Sequence, residues 1–434
     1  MIRWTNVVVD MLLPQRATLF GWAVLFGTLA LLYRAIRERN RKYFILVGLI
    51  GGALPMIHTH SFLALGMVCA VWLLADLCRN RGMDKEKKSI FIRIYLPVFL
   101  IGMSVMQFMK GLQENFSKTG ITLAVAMTAV LVASILMLLK VTFDKGEGQI
   151  VLKTWGTMLV IVLLEALPQL FTWTFNQVGG NGSLEGHFNW ANGSDPYLWF
   201  YIKNLGVSGL LMLPALLWAN RSKFAFAAPA VFIWSIAEVI SFQPNTYDNN
   251  KLLYVAYALL VILVADFCGD MREKILSSVS KRMIAPALTV LLFLSMISAV
   301  MTMIRECKSG ADYEIYSAEQ IQMAEYVREN TDPKATFLTG TGFLNSIPVL
   351  GGRTIICGPG LYLYFHGLDY QSREADVRNM YEYPWEYQYL FDTYDVDYIV
   401  IRNSERYEYN VNEAALMDFG DVVYQQDGSV IIRR

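Results

Sequence analysis

Residues 43–78 read YFILVGLIGGALPMIHTHSFLALGMVCAVWLLADLC, and the way this stretch divides decides the fold. It is almost wholly apolar, broken by Pro55-Met56-Ile57-His58-Thr59-His60 and, near its end, by Asp76. Arg37, Arg39, Arg41 and Lys42 stand before or at its start, and Arg79 and Arg81 follow it. Lys and Arg concentrate in cytoplasmic loops. An apolar stretch with basic residues at both ends therefore leaves one side of a membrane and returns to it. It is read as two crossings, 43–56 and 60–77, with Pro55 and the two histidines at the turn. Each arm is short for a hydrocarbon core about 30 Å thick, so a re-entrant or locally thinned arrangement stands beside that reading.

The same reasoning extends in both directions. The chain has 434 residues, 55% of them hydrophobic and only 17% charged, which is too little charge for a water-soluble protein of this length. Apolar runs of membrane-spanning length recur up to residue 304 and then stop. The predicted spans are 17–33, 43–56, 60–77, 90–109, 120–141, 151–170, 197–218, 224–241, 250–268 and 283–304. Twenty Lys and Arg fall on one set of loops: Arg34 to Lys42, Arg79 to Arg93, Lys140 to Lys153, Arg221 with Lys223, and Arg272 to Arg282. Six fall on the opposite loops and helix mouths: Arg3, Arg16, Lys110, Lys118, Lys203 and Lys251. The first set is read as cytoplasmic. The expected fold is thus a multi-pass α-helical membrane protein of about ten spanning helices with a C-terminal extracytoplasmic α/β domain. Its parts are an outer segment 1–16, a polytopic domain 17–304 and an outer domain 305–434.

The zero net charge hides an asymmetry. Residues 1–304 hold 26 basic and 16 acidic side chains, whereas residues 305–434 hold 11 and 21. An acidic outer domain argues against nucleic acid as a partner, because phosphates are held by Lys and Arg. Residues 1–16 fall outside with no helix before them. The apolar run Val7–Leu13 is too short for a signal-sequence core and is interrupted by Asp10, so further helices upstream are expected.

The candidate chemistry gathers on the outer side. All four histidines are there: His58, His60, His187 and His366. Arg16 follows Leu13-Pro14-Gln15. Gln169 follows Pro168, with Glu165 one turn deeper. The 172–196 loop is aromatic and rich in Gly and Asn, with Asp195. The turn Phe242-Gln243-Pro244-Asn245-Thr246-Tyr247-Asp248-Asn249-Asn250-Lys251 closes the set, and these segments are expected to share one outward basin. Ionisable residues inside spans are costly and are functional candidates by default. Glu165 and Glu238 qualify, against the plainer reading of groups hydrogen-bonded near the interface. His58-Thr59-His60 reads as a divalent-metal half-site, as a substrate hydrogen-bonding pair, or as a polar turn capping short helices. No third ligand stands at a telling spacing, so no metal set is assigned and no cofactor is identified. Asp248 and Lys251 read either as an N-cap with a snorkelling lysine or as an anion or sugar contact at a helix start. Arg16 reads as a lipid-phosphate ligand or as an interfacial anchor.

No G-x-x-x-x-G-K-[ST], H-E-x-x-H or G-x-S-x-G motif is present, and Gly340-Thr341-Gly342 does not extend to G-x-G-x-x-G. Nothing points to ATP, a nucleotide sugar or a zinc protease. Of the five cysteines, Cys307 and Cys357 would lie outside, as a disulfide or as two buried thiols. In the outer domain, Ser317–Asn330 has Ile321, Ala324 and Val327 on one helical face. Ala335–Thr339, Thr354–Cys357 and Asp397–Ile401 read as strands, and Tyr387–Tyr394 as a short helix. Val422–Gln425 and Ser429–Arg433 read as a hairpin around Asp427-Gly428. This order suggests a small α/β sandwich. Asp369 and Arg373 read as an i,i+4 surface pair, or the 364–373 run as a carbohydrate-facing patch.

The runs Pro14-Gln15-Arg16, His58-Thr59-His60, Leu167-Pro168-Gln169, Lys203-Asn204-Leu205-Gly206 and Asp248-Asn249-Asn250-Lys251 resemble the later helices of bacterial and archaeal C-type (GT-C) membrane glycosyltransferase-like proteins. Gly352-Arg353, His366-Gly367-Leu368-Asp369-Tyr370, Val396-Asp397-Tyr398 and Glu405-Arg406 resemble their outer C-terminal domain. The resemblance runs in order along nearly the whole chain, on short motifs. It implies transfer of a sugar from a polyprenyl-phosphate carrier to a glycan acceptor on the outer face, with membrane lipids as surroundings. The substrate-binding candidates, read from their place on the outer side, are Arg16, His58, His60, Gln169, His187, Asp248 and Lys251. The family's catalytic acid lies in its first outer loop. This chain begins after, or late in, that region, where Asp10 is the one acid left. Asp10 and Glu165 are the acids considered for catalysis. The other reading is a non-catalytic membrane protein that binds or transports a lipid-linked glycan. Ionisable residues near the outer ends of spans, rather than at mid-depth, favour the enzyme geometry.

Overall fold

The computed structural model describes residues 7–79, 116–146, 148–174, 184–188, 195–242, 246–278, 281–308 and 314–434. The predicted span 90–109 lies outside the described residues, as do Arg3, Arg81 to Arg93, Lys110, most of the 172–196 loop and residues 243–245. The chain forms two compact units, residues 1–176 with 182–308 and residues 309–434 with 177–181.

The first unit is a helical bundle. Seven of its described helices are long and apolar enough to cross a membrane: Arg16–Glu38, Thr59–Cys78, Lys118–Asp144, Gly148–Thr174, Trp199–Trp218, Arg221–Val239 and Asn250–Lys274. Their outward faces suit lipid, with Leu164 at 72% and Met137 at 69% exposure. The Lys281–Glu306 helix, 26 residues long, covers the predicted span 283–304.

The stretch 43–56 is not one continuous helix. A helix runs over Arg41–Gly52, breaks at Ala53, and restarts as the single turn Leu54–Ile57. Twelve residues rise about 18 Å, well short of the hydrocarbon core. The break has a physical cause. Pro55 has no N–H to give, and the glycine pair Gly51-Gly52 lets other helices approach closely. A Cβ on Gly52 would lie 2.7 Å from Glu165 Oε2, and one on Gly51 would lie 2.7 Å from Leu65 Cδ2. Phe44 meets Trp155 edge-on at 5.3 Å, so the short helix lies alongside the 148–174 span. Two-residue strands β1 (Glu185–Gly186) and β2 (Ile240–Ser241) pair antiparallel at one end of the bundle. Gly120 packs there, where a Cβ would sit 2.5 Å from the Val239 carbonyl.

The second unit carries a five-stranded mixed sheet in the order β4-β3-β5-β7-β6. The strands are β3 Thr336–Leu338, β4 Thr354–Ile355, β5 Val396–Ile401, β6 Asp421–Gln426 and β7 Ser429–Arg433. β4, β3 and β5 run parallel, and β7 is antiparallel to both β5 and β6. The hairpin expected at Asp427-Gly428 is present, with positive φ at both residues (48° and 77°) as a tight two-residue turn demands. The helix expected from Ser317 covers Ala318–Asn330, opened by a reciprocal Ser317–Gln320 capping box. Its buried face is Met323, Ala324 and Val327, whereas Ile321 is 42% exposed. Asp369 precedes the Gln371–Glu382 helix, so it is not an i,i+4 partner of Arg373, whose guanidinium turns to the Ile356 carbonyl and the Tyr394 ring. Cys307 and Cys357 are free thiols, the first exposed and the second buried.

Two buried arginines organise this unit. Arg353 donates to the carbonyls of Val327, Arg328, Thr331 and Gly351 and to the Thr331 hydroxyl, tying the end of the first helix to the entry of β4. Arg402 is paired with the fully buried Glu405, which also accepts from the Gly340 N–H at 2.9 Å and the Ser404 hydroxyl at 2.9 Å. Burial alone would raise the Glu405 carboxyl. The Arg402 guanidinium and these two donors outweigh it and hold the group below the usual carboxylate range.

Candidate functional site

Alternating helix directions bring two sets of polar residues to opposite ends of the bundle. One end is basic and internally paired. Asp76, only 3% exposed, accepts from Arg39 at 2.8 Å and from the Trp155 indole at 3.0 Å. Lys223 bridges Asp266 at 2.7 Å and Asp270 at 2.9 Å, and Lys274 lies 3.8 Å above the Trp218 ring.

The other end holds the residues singled out from sequence in the first unit. The turn 54–61 is the junction, gripped by three spans. From the Arg16–Glu38 helix, Thr18 Oγ1 lies 3.4 Å from His58 Nε2 and donates to Gln15 Oε1 at 2.9 Å. Ser61 Oγ lies 2.8 Å from His58 Nδ1. These bonds assign the tautomer: Thr18 has spent its proton on Gln15, so His58 donates from Nε2 and accepts from Ser61 at Nδ1. Gly21 makes room for the ring, since a Cβ there would lie 2.4 Å from His58 Cβ. Both nitrogens of His58 are thus committed to the protein. His60 stacks at 5.4 Å from the His58 ring, and its nitrogens make no hydrogen bond among the described residues. From the Asn250–Ser278 helix, Lys251 pairs with Asp248 at 2.9 Å, both partly buried. The Lys251 charge is felt at His58 and His60, and the Asp248 charge at His58.

From the 148–174 span, Gln169 donates to the Gly52 carbonyl at 2.9 Å and accepts from the Met56 N–H at 3.0 Å. Its amide therefore closes the helix break. Glu165 packs its carboxyl on Gly52 one turn deeper. His187 Nε2 lies 3.2 Å from Asn249 Nδ2, whose amide also donates to the Ala237 and Ile240 carbonyls. His187 and Asn249 together fasten the strand pair to the Arg221–Val239 helix. Glu238, 1% exposed, has the Tyr197 hydroxyl within hydrogen-bond reach. Arg16 is exposed at the helix start, two residues before Thr18. Asp10 falls on the Val7–Leu12 turn, with its side chain outside what is described. His366, in the second unit, donates from Nδ1 to the Tyr362 carbonyl at 2.7 Å.

Three residues not anticipated complete the picture. Thr18 and Gly21 shape the His58 pocket, and nothing in an apolar helix marks such small residues in advance. Asn250 is fully buried, and neither its amide oxygen nor its nitrogen has a partner among the described residues. It adjoins Lys251 and lies one turn before Tyr254, whose ring meets Trp22 at 5.9 Å. Trp22 Nε1 is likewise buried without an acceptor. Buried polar groups are nearly always satisfied, so two such residues beside one cluster ask for an explanation. No group of three His, Cys, Asp or Glu is arranged to hold a metal among the described residues.

No family model and no curated protein matches the chain. Among solved structures it is similar to an archaeal oligosaccharyltransferase, AglB from Archaeoglobus fulgidus, determined with an inhibitory peptide and a dolichol-phosphate. The TM-score is 0.42 at 11% identity, over 90% of this chain and 52% of that one. The chain thus spans about half the length of that structure. What the fold itself defines is a multi-pass helical membrane protein with a small C-terminal α/β unit.

Proposed function

We propose that this protein is a GT-C-like membrane glycosyltransferase that takes a sugar from a polyprenyl-phosphate carrier at the outer membrane face. One observation carries the reading: at one end of an apolar bundle His60 packs on His58, and the Lys251–Asp248 pair stands at the same end, next to the unpartnered buried amide of Asn250. A phosphodiester on a lipid is an anion delivered from within the membrane. Lys251 supplies the charge and His60 a directional donor, with Arg16 exposed nearby in the chain to meet the headgroup from the interface. The basic, self-paired end is then cytoplasmic, and the C-terminal unit extracytoplasmic. His58, Gln169 and His187 act as positioning residues, because their polar atoms are engaged by the protein.

A second reading is favoured by Asp248. A general base must be free to accept a proton, yet Asp248 is held by Lys251, and Glu165 lies one turn deeper than Gln169, packed on Gly52. That arrangement suits binding of a lipid-linked glycan without turnover. The test is transfer of radiolabelled sugar from polyprenyl-phosphate donors in membranes carrying the protein, together with retention of the labelled lipid. Transfer abolished by His60→Ala and Lys251→Ala supports the enzyme. Retention without transfer, lost in the same variants, supports the binding protein. Neither transfer nor retention sinks both.

A further inference from the structure

The second unit is acidic, with 21 Asp and Glu against 11 Lys and Arg over residues 305–434. One part of it is not. Residues 339–352 and 354–368 contain no Asp, Glu, Lys or Arg at all. Arg353, between them, is 8% exposed with its guanidinium turned inward onto backbone carbonyls. The first run leaves the end of β3 and the second passes through β4 and leaves its end, so residues 339 onward and 356 onward emerge at the same pole of the parallel strands. There the protein exposes large apolar side chains: Phe343 50%, Leu344 56%, Leu361 52%, Tyr362 57% and Tyr364 54%. The two runs touch, with the Phe343 and Tyr362 rings edge-on at 4.7 Å. Leu344 is held at φ 55°, a left-handed conformation that a leucine rarely adopts. A strained backbone that turns a leucine outward is the mark of a surface with a use.

The chain enters the unit at this same pole. The Ala318–Asn330 helix runs against the strands. Its first turns lie by the end of β6, with Gln426 donating to Gln322 at 3.0 Å, while Tyr326 reaches the earlier Val423 carbonyl at 2.8 Å. Since β6 runs parallel to β5 and β3, Ala318 sits at the carboxyl end of the parallel strands. Only residues 307–317 separate it from the Lys281–Glu306 helix, whose residues 283–304 carry no charge.

We propose that this uncharged aromatic face is a membrane-docking surface, bedded into the lipid headgroup boundary with Phe343, Leu344, Leu361 and Tyr362 as its anchors. Tyr, Phe and Leu are the side chains that partition into that boundary, where an aromatic ring meets acyl chains and its hydroxyl meets water. The acidic remainder of the unit is repelled by anionic headgroups, so the uncharged face is the part suited to approach.

The full chain is reconstituted in phosphatidylcholine vesicles, with a small fluorescent amino acid replacing Leu344, Tyr362 or, at the opposite pole, Lys334. Emission and quenching by headgroup-level spin-labelled lipid are read. The expected result is blue-shifted emission and quenching at 344 and 362 that is roughly twofold or more above that at 334. Blue-shifted emission without lipid quenching overturns the proposal, because protein then covers the face. Unshifted emission with quenching equal at all three sites overturns it as well, because the face then stands in water.

Discussion

The two ends of the helical bundle use similar side chains to opposite effect. At the basic end every charge described above has a partner: Asp76 holds Arg39 and Trp155, and Lys223 lies between Asp266 and Asp270. At the other end the protein pairs Lys251 with Asp248 but leaves the whole buried Asn250 amide and the Trp22 indole N–H without partners among the described residues. Satisfied buried groups fix a structure, whereas unsatisfied ones are costly to keep and imply something that arrives later. On the proposed function, the first end is structural and the second receives the ligand.

The comparison breaks hardest at Asp76. Asp76→Ala removes the buried carboxylate to which Arg39 and the Trp155 indole both donate and is expected to cost roughly 3–5 kcal/mol. Thermal unfolding in detergent or vesicles reads this, and an unchanged melting temperature would show that the closed end does not hold the bundle together. The Arg402–Glu405 pair in the second unit follows the same closed design and makes the next largest effect pH-dependent. Its carboxyl is depressed in the folded state. The resulting stability is therefore complete above the ordinary carboxylate value of about 4.3 and is lost as pH falls through the lower folded value. Acid titration of the second unit's near-ultraviolet circular dichroism should show that limb, and Glu405→Gln should lose stability at neutral pH and flatten it.

Gly21→Ala tests the support beneath the receiving end. The new methyl collides with His58 and should cost about 1–3 kcal/mol, with loss of lipid-linked sugar retention. Lys251→Ala leaves the partly buried Asp248 without this partner and should cost about 1–3 kcal/mol of stability while weakening retention about tenfold, or ~1.4 kcal/mol. The smallest effect has the opposite sign. Asn250→Leu replaces a buried amide that has no partner, so it should be neutral or stabilising by up to about 1 kcal/mol while retention falls. A clear destabilisation by Asn250→Leu would mean that the amide is satisfied within the protein, and the contrast between the ends would lose its strongest support.

Much of this was readable from composition alone, for a reason that also sets the limit. Apolar run length, the side on which Lys and Arg collect, and the Asp427-Gly428 turn are local or additive properties of the chain. They placed the helical segments, separated the polar ends and located the hairpin. The break inside the 43–56 arm was not foreseen because hydropathy does not see a gap closed by a side chain more than a hundred residues away, as Gln169 closes the one between Gly52 and Met56. Ile321 was assigned to the buried face of its helix because periodicity gives a stripe but not the neighbour that selects its edge, which is Met323 here.

The sequence by itself determined a membrane-embedded apolar domain, an acidic α/β tail, and a set of polar residues sorted to one end. Only the tertiary structure decided which of those residues are occupied. His58 and His60 are two positions apart and chemically identical, yet Thr18, Ser61 and Gly21 bind up the first and leave the second open. Asn249 and Asn250 are neighbours, yet one is fully bonded and the other is bare. A hydrogen bond depends on which atoms from other helices come within about 3 Å, and that is fixed by packing in three dimensions, not by order along the chain.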